Sequence, residues 1–300
     1  MNVKLTSRLT VLLTIGAIAA FCCMVNISVS SEIYIPTVDN KMLNTSTISG
    51  KIYINNNWTD AKAAGICTGE GTASDPYVIK DLEINGGGTG SCILIENSSV
   101  FFRIENCTVY NSGPSCFDGG IELSNVKYGQ IINNEAYGQT NGIFINGSSG
   151  SIVSGNDCYL STGILIEYSE NITVYFNNFV GNTEFASDFS FYNSTVYWSS
   201  AQKLSYKYNG ITHTNYIGNY FQNYVGQDAN NDGIGDNPHV IDTHKPTPII
   251  VDVYPLMEPI ENYEITNAID LIPGYNPLII IGLLSFPLIL SIRKFKKLLN

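Results

Sequence analysis

The feature that most restricts how this chain can fold is an internal repeat slightly longer than twenty residues. Cys92–Ile95, Gly120–Leu123, Gly142–Ile145 and Gly163–Ile166 align on one apolar pattern, with spacings of 28, 22 and 21. A second set keeps the same phase: Ile104, Ile131, Val153 and Val174 open it, and Val109, Ala136, Cys158 and Phe179 close it. Ile79–Ile84 falls 25 residues before Ile104–Val109, and Phe189–Phe191 falls 25 after Ile164–Ile166. Repetition at such a period marks a solenoid. Each unit consists of short strands with alternating apolar residues, separated by Asn, Gly and Ser that supply turns and positive φ. A unit of this size cannot bury its own apolar face, so successive units stack, Ile over Ile, at the ~4.8 Å spacing of paired strands. The expected fold is all-β: a right-handed parallel β-helix with a C-terminal cap and one C-terminal transmembrane helix. Asn134, Asn156 and Asn177 share one equivalent position, filled by Cys107 one coil earlier, as an asparagine ladder at a turn requires. An antiparallel β-sandwich also uses short strands and turns, but it does not explain the constant phase.

The two ends differ from the middle. Lys4 and Arg8 precede an apolar run from Leu9 to Val25, with small residues at Ser28 and Ser30, the pattern of a secretory signal peptide over residues 1–30. An uncleaved anchor would export the following chain equally. Cys22 and Cys23 raise a lipoprotein alternative, for which Phe21 is a poor preceding residue. Residues 271–292 carry no charge and are long enough to cross a bilayer. Arg293, Lys294, Lys296 and Lys297 follow and place residues 293–300 in the cytoplasm. Between the ends the sequence divides into an N-terminal segment and cap (31–64), the repeats (65–200), a C-terminal cap (201–260) and a linker (261–270). The expected location is the cell membrane, with a single C-terminal span and the body outside.

Charge narrows the partners. From Glu32 to Asp270 the chain holds nine Lys/Arg against 26 Asp/Glu, a net charge of −17 that repels a phosphate backbone and excludes nucleic acid. Seven N-x-S/T sequons, at Asn44, Asn57, Asn97, Asn106, Asn146, Asn171 and Asn193, suit a glycosylated surface protein. Cys67, Cys92, Cys107, Cys116 and Cys158 follow the signal without C-x-x-C spacing, so disulfides are expected rather than metal clusters, with Cys67 paired to Cys92 and Cys107 to Cys116.

Taken with the repeat, three stretches carry a family resemblance: Gly69–Ile79 at the opening, Gly218–Tyr224 near the end, and Asp252–Met257. Over about residues 65–258 the chain resembles the right-handed β-helix proteins of the NosD-like and carbohydrate-binding, sugar-hydrolysis group. The resemblance implies a fold more securely than a reaction, because that group is functionally mixed. Its copper association meets a thin ligand supply: Met42, Met257, His213, His239 and His244, in no cluster.

Three sets of residues could carry chemistry. In Asp228-Ala229-Asn230-Asn231-Asp232-Gly233-Ile234-Gly235-Asp236, oxygen donors at Asp228, Asn230, Asp232 and Asp236, with the Ile234 carbonyl, follow the front of a calcium loop. Position 12 is His239 rather than a bidentate Glu, so structural Ca2+ bracing the cap is the expectation. Glu135 and Asp157 are equivalent in adjacent coils and form the candidate catalytic pair of a glycoside hydrolase; a polysaccharide lyase would also need a base, for which Lys127 is the nearest residue in sequence. Tyr128, Tyr137, Tyr159, Tyr168 and Tyr175 on successive coils, with Trp198, Tyr206 and Tyr208 beyond them, offer rings for pyranose faces. The functional expectation is an extracellular β-helix that binds carbohydrate or a surface protein, with the hydrolase or lyase and an inert envelope component as alternatives.

Overall fold

The computed structural model describes residues 47–266, except 139, 160–161, 183, 189–194 and 243–249. The expected signal peptide, transmembrane run and basic tail, together with Asn44, Asn193 and His244, lie outside the described residues. Among the described residues no helix is long and apolar enough to cross a membrane.

The chain winds as a parallel β-solenoid. Its first coil contains β1 (Thr47–Ser49), β2 (Ile52–Asn55), the short helix α1 (Trp58–Ala63) and β3 (Tyr77–Lys80). Next come β4 (Leu82–Asn85), β5 (Ile93–Glu96) and β6 (Phe102–Glu105), then β7 (Thr108–Tyr110), β8 (Gly119–Ser124) and β9 (Gly129–Ile132). β10 (Glu135–Tyr137), β11 (Asn141–Asn146) and β12 (Ile152–Ser154) are followed by β13 (Asp157–Tyr159), β14 (Thr162–Glu167) and β15 (Ile172–Tyr175). The last coil holds β16 (Asn178–Val180), β17 (Glu184–Asp188) and β18 (Val196–Tyr197). First strands stack into sheet A, second strands into sheet B and third strands into sheet C, all in parallel register. The solenoid therefore starts at Thr47, upstream of residue 65, and ends where β21 (Tyr220–Phe221) adds a seventh strand to sheet A.

The repeat maps onto this register directly: Ile79 pairs with Ile104 and Ile84 with Val109. One alignment shifts. Ile164 pairs with Ala186, so the strand after β14 lies 22 residues on, at β17, instead of 25 residues on at Phe189. Inward columns such as Ile93, Ile121, Ile143 and Ile164 are at most 1% exposed. Each such side chain contributes roughly 1.5–3 kcal/mol by leaving water, which is why stacking replaces the globular core that a single coil lacks.

Two devices close the coils. At one turn Asp81, Asn106, Asn133, Gly155 and Phe176 all adopt positive φ; a Cβ on Gly155 would lie 2.1 Å from Asn133 Oδ1. Immediately after it runs the asparagine ladder. Cys107 N–H donates to Asn134 Oδ1 (3.0 Å), Asn134 N–H to Asn156 Oδ1 (2.9 Å) and Asn156 N–H to Asn177 Oδ1 (3.0 Å). The ladder extends beyond the repeats: Asn177 N–H donates to Asn219 Oδ1 (3.2 Å), and Asn219 N–H to the Asp252 carboxylate (2.6 Å).

The cysteine pairs expected from the sequence are not formed: Cys67 does not bond Cys92, nor Cys107 Cys116. The reason is the solenoid itself, which assigns each buried thiol its own interior place. Cys92 donates to the Tyr110 carbonyl (3.3 Å) and Cys107 to the Glu105 carbonyl (3.4 Å), as a small apolar stand-in at the head of the ladder.

Both ends are capped. α1 lays Trp58 over Tyr77, 5.0 Å between stacked rings, and its indole N–H donates to Ser98 Oγ (2.7 Å). At the far end β19 (Leu204–Tyr208), β20 (Ile211–Asn215) and β24 (Tyr263–Ile265) form an antiparallel sheet, and β22 (His239–Asp242) pairs with β23 (Ile250–Asp252). Tyr206, Tyr208, Tyr263, Ile234 and Leu256 make a second core there.

Candidate functional site

Strand alternation turns every second residue of sheet A outward, and the parallel register lines those residues into columns. One outward column reads Glu83, Thr108, Glu135, Asp157 and Asn178; its neighbour reads Asn85, Tyr110, Tyr137 and Tyr159. The candidate pair is thus brought together: Glu135 and Asp157 are direct register partners in adjacent strands. Asn178 Nδ2 donates to Asp157 Oδ1 (2.7 Å) and to Glu261 Oε2 (3.2 Å), so a carboxylate from the cap joins the column. The Ile260 N–H donates back to Asn178 Oδ1 (2.9 Å) and fixes the amide between them.

Tyr110 and Tyr137 stack at 5.2 Å with their planes 8° apart, and the Tyr110 hydroxyl donates to Glu83 Oε1 (3.2 Å). Each ring thus covers one face of the other, beside a line of acceptors. Burial raises the pKa of Glu135, against the opposing pull of its Thr108 hydrogen bond. Burial also raises Tyr159, reinforced by the charges of Asp157, Glu135 and Glu261, which keeps that phenol a donor.

Other expected site residues fall elsewhere. Lys127 sits at the turn between sheets B and C, bridged to Ser149, and cannot serve as a base for Glu135 or Asp157. Trp198, Tyr206 and Tyr208 are core residues, at most 9% exposed, rather than sugar platforms. Tyr128 is stacked on Phe101 at 4.6 Å on another edge of the solenoid. Tyr110, Glu83 and Glu261 were not singled out by sequence. Extending the alignment by one residue beyond Val109, Ala136 and Cys158 would have revealed the tyrosine column; Glu261 reaches the face only through tertiary folding.

The acidic loop is closed by its own side chains on backbone N–H groups. Asp228 Oδ2 accepts from Gly233 N–H (2.8 Å), Asp228 Oδ1 and Asn230 Oδ1 from Asp232 N–H (both 3.1 Å), and Asp236 Oδ2 from Ala229 N–H (2.8 Å). Ile234 is buried and bridges to Leu256, which pins the loop to the cap core. His239, at the twelfth position, turns away: it stacks on Phe221 at 4.2 Å, and burial holds its pKa down to about 4.

A family model described as "Periplasmic copper-binding protein (NosD)" matches residues 25–226. No curated protein matches the chain. The copper of that description does not fit the side chains of the described residues. His239 is a packed aromatic, His213 lies against Tyr206 in a different strand, and no group of three or more His, Cys, Asp or Glu is gathered for a metal among the described residues.

Proposed function

Because the chain belongs to the NosD family of β-helix proteins, a family in which the scaffold alone does not dictate the chemistry, we propose that it is a membrane-anchored surface protein that binds carbohydrate along the outer face of sheet A. The observation that carries this reading is the pair of parallel columns, tyrosines beside carboxylates and amides, repeated from coil to coil. Rings offer C–H contacts to pyranose faces, and the acid column accepts sugar hydroxyls. The sequons support the same choice of face. Asn57, Asn97, Asn106, Asn146 and Asn171 all lie outside the strands of sheet A, so attached glycans would leave that face bare. The test is retention of the full-length protein on a panel of immobilised polysaccharides. Loss of retention in Tyr137→Ala, with an unchanged melt, supports the reading; equal retention of the variant refutes it.

A second reading, glycoside hydrolysis, is favoured by one observation. Glu135 and Asp157 are register partners in adjacent strands with unequal surroundings: burial raises the Glu135 pKa, whereas Asp157 accepts a hydrogen bond from Asn178, the asymmetry an acid and its partner carboxylate require. Oligosaccharide release that disappears in Glu135→Gln or Asp157→Asn would establish it. We also propose that the cap loop takes a structural Ca2+ through Asp228, Asn230, Asp232, Asp236 and the Ile234 carbonyl; its carboxylates bond backbone N–H groups here and would turn onto the ion on binding. Calcium should raise the melting temperature of the unmutated chain and leave that of Asp228→Ala/Asp232→Ala unmoved; no shift in the unmutated chain would remove the ion from the account.

A further inference from the structure

The hairpin of β22 and β23 lies against the C-terminal end of the solenoid, and its two faces differ. On the inner face His239 stacks on Phe221 of the last sheet A strand, and Asp252 accepts from Asn219 at the end of the ladder. Ile241 and Ile250 pack against the main core. Strand alternation turns the intervening residues the other way. Val240 and Val251 are register partners there, and Val253 follows them. Val240 is 44% exposed and Val253 49%. Tyr224 meets His239 edge-on at 5.8 Å, which sets the almost fully exposed Val225 beside this hairpin. Among the described residues the exposed large aliphatic side chains are these three and Ile211, all in the cap, whereas the exposed large apolar residues of the solenoid are aromatic.

We propose that the valine face of this hairpin rests on the lipid bilayer, so that the solenoid stands with its capped end at the membrane and its first coil away from it. The inference rests on the reading of residues 271–292 as a membrane anchor. The described chain leaves the cap at Thr266, whose N–H donates to the Ser205 carbonyl (2.8 Å). Only Asn267, Ala268, Ile269 and Asp270 separate it from the uncharged run, and four residues span at most ~14 Å. The anchor thus holds the cap close to the lipid, where the effective concentration is high enough for a small apolar face to dock. A solenoid lying flat would instead press one of its sheets onto the bilayer. Each sheet carries outward charges that would have to leave water: Glu135 and Asp157 on sheet A, Glu122 and Glu167 on sheet B, Arg103 and Glu105 on sheet C. Pairing of two caps head to head is a poorer match, because two chains anchored in one bilayer both point their caps toward it. With a net charge of −17 from Glu32 to Asp270, the contact is apolar rather than electrostatic, and anionic headgroups oppose it.

The test uses the full-length protein in phosphatidylcholine nanodiscs, one copy to a disc, with Cys22, Cys23 and Cys116 changed to serine; Cys67, Cys92, Cys107 and Cys158 are buried. A polarity-sensitive thiol fluorophore is placed at Val240→Cys, Val253→Cys or Tyr53→Cys, and lipids brominated on their acyl chains serve as quencher. Tyr53 lies on β2, at the other end of sheet B from β17, ~24 Å away at ~4.8 Å per strand. The expected result is a ~twofold or greater fall in emission at 240 and 253, as for side chains at the headgroup–acyl boundary, and no change at 53. Val253→Asp beside the probe at 240 should abolish the quenching there without moving the melt, and exchange of part of the lipid for phosphatidylglycerol should weaken it. Absence of quenching at 240 and 253 in protein that is retained in the discs would overturn the docking and leave the anchor in place. Equal quenching at 53 would overturn it too, since the solenoid would then lie flat. A blue shift at 240 that appears only with two copies to a disc, without quenching, would assign the face to a second copy and overturn the lipid contact. Failure of the protein to enter the discs would remove the anchor reading and this inference together.

Discussion

Replacing Asn156 by alanine tests the internal ladder at its centre. The side chain is 1% exposed. Its Oδ1 accepts from the Asn134 N–H (2.9 Å) and Nδ2 (3.0 Å), while its Nδ2 donates to the carbonyls of Ile131 (2.9 Å) and Ser154 (3.1 Å) and to Asn177 Oδ1 (2.9 Å). Truncation leaves the Asn134 N–H without that acceptor inside the solenoid, which costs about 1–3 kcal/mol, and removes two side-chain bonds to carbonyls at about 1 kcal/mol each. The sum centres on ~4 kcal/mol, or a fall of ~8–16 °C in melting temperature at the ~2–4 °C per kcal/mol of a body this size. Lys207→Ala serves as control, because its ion pair with Glu264 is exposed and worth ~0–1 kcal/mol. Circular dichroism of the full-length protein in detergent measures both. A fall in Asn156→Ala no larger than in Lys207→Ala would refute the claim that the ladder fastens coil to coil.

Three further outcomes follow from the same geometry. Asp252 is fully buried, and burial pushes its pKa up to about 7 despite donors from Asn219 and Tyr254. A raised folded-state pKa means that its stabilising contribution is complete below about 4 and is lost as pH rises through about 7, by at most ~4 kcal/mol; Asp252→Asn should flatten that slope in a pH series of melts. Its amide would at the same time lower stability at every pH, because it turns a donor toward the Tyr254 N–H. Cys158 is sealed in the core, where burial raises its thiol pKa, so a thiol reagent should label it only after denaturant is added. Gly142→Ala should destabilise by ~1–3 kcal/mol, since its Cβ would lie 2.6 Å from the Gly163 carbonyl oxygen.

The solenoid was legible because its driving force is periodic. Apolar residues must recur in phase for coils to stack, and Ile104, Ile131, Val153 and Val174 display that phase without any structure. The ladder residues Asn134, Asn156 and Asn177 were legible for the same reason. Asn219 and Asp252 were not, because the long insertion carrying β19 and β20 breaks the period before the last rung and so hides its equivalence. The cysteines misled the pairing, because an odd set of thiols in an exported chain suggests bridges, whereas in a solenoid a thiol also fits wherever a small apolar side chain is wanted inside. Glu135 and Asp157 could be placed by phase alone. The meaning of Tyr206 and Tyr208 could not, because alternation in β19 puts both inward and only the cap's tertiary contacts show it.

Hydroxyl-radical footprinting of the full-length protein, with and without a retained polysaccharide, most directly tests which face does the binding. The account predicts protection of Tyr110, Tyr137 and Tyr159 on sheet A, with Tyr53, Tyr168 and Tyr197 unchanged although they are more than half exposed. Protection of Tyr53, Tyr168 or Tyr197, with the sheet A tyrosines unaffected, would contradict it.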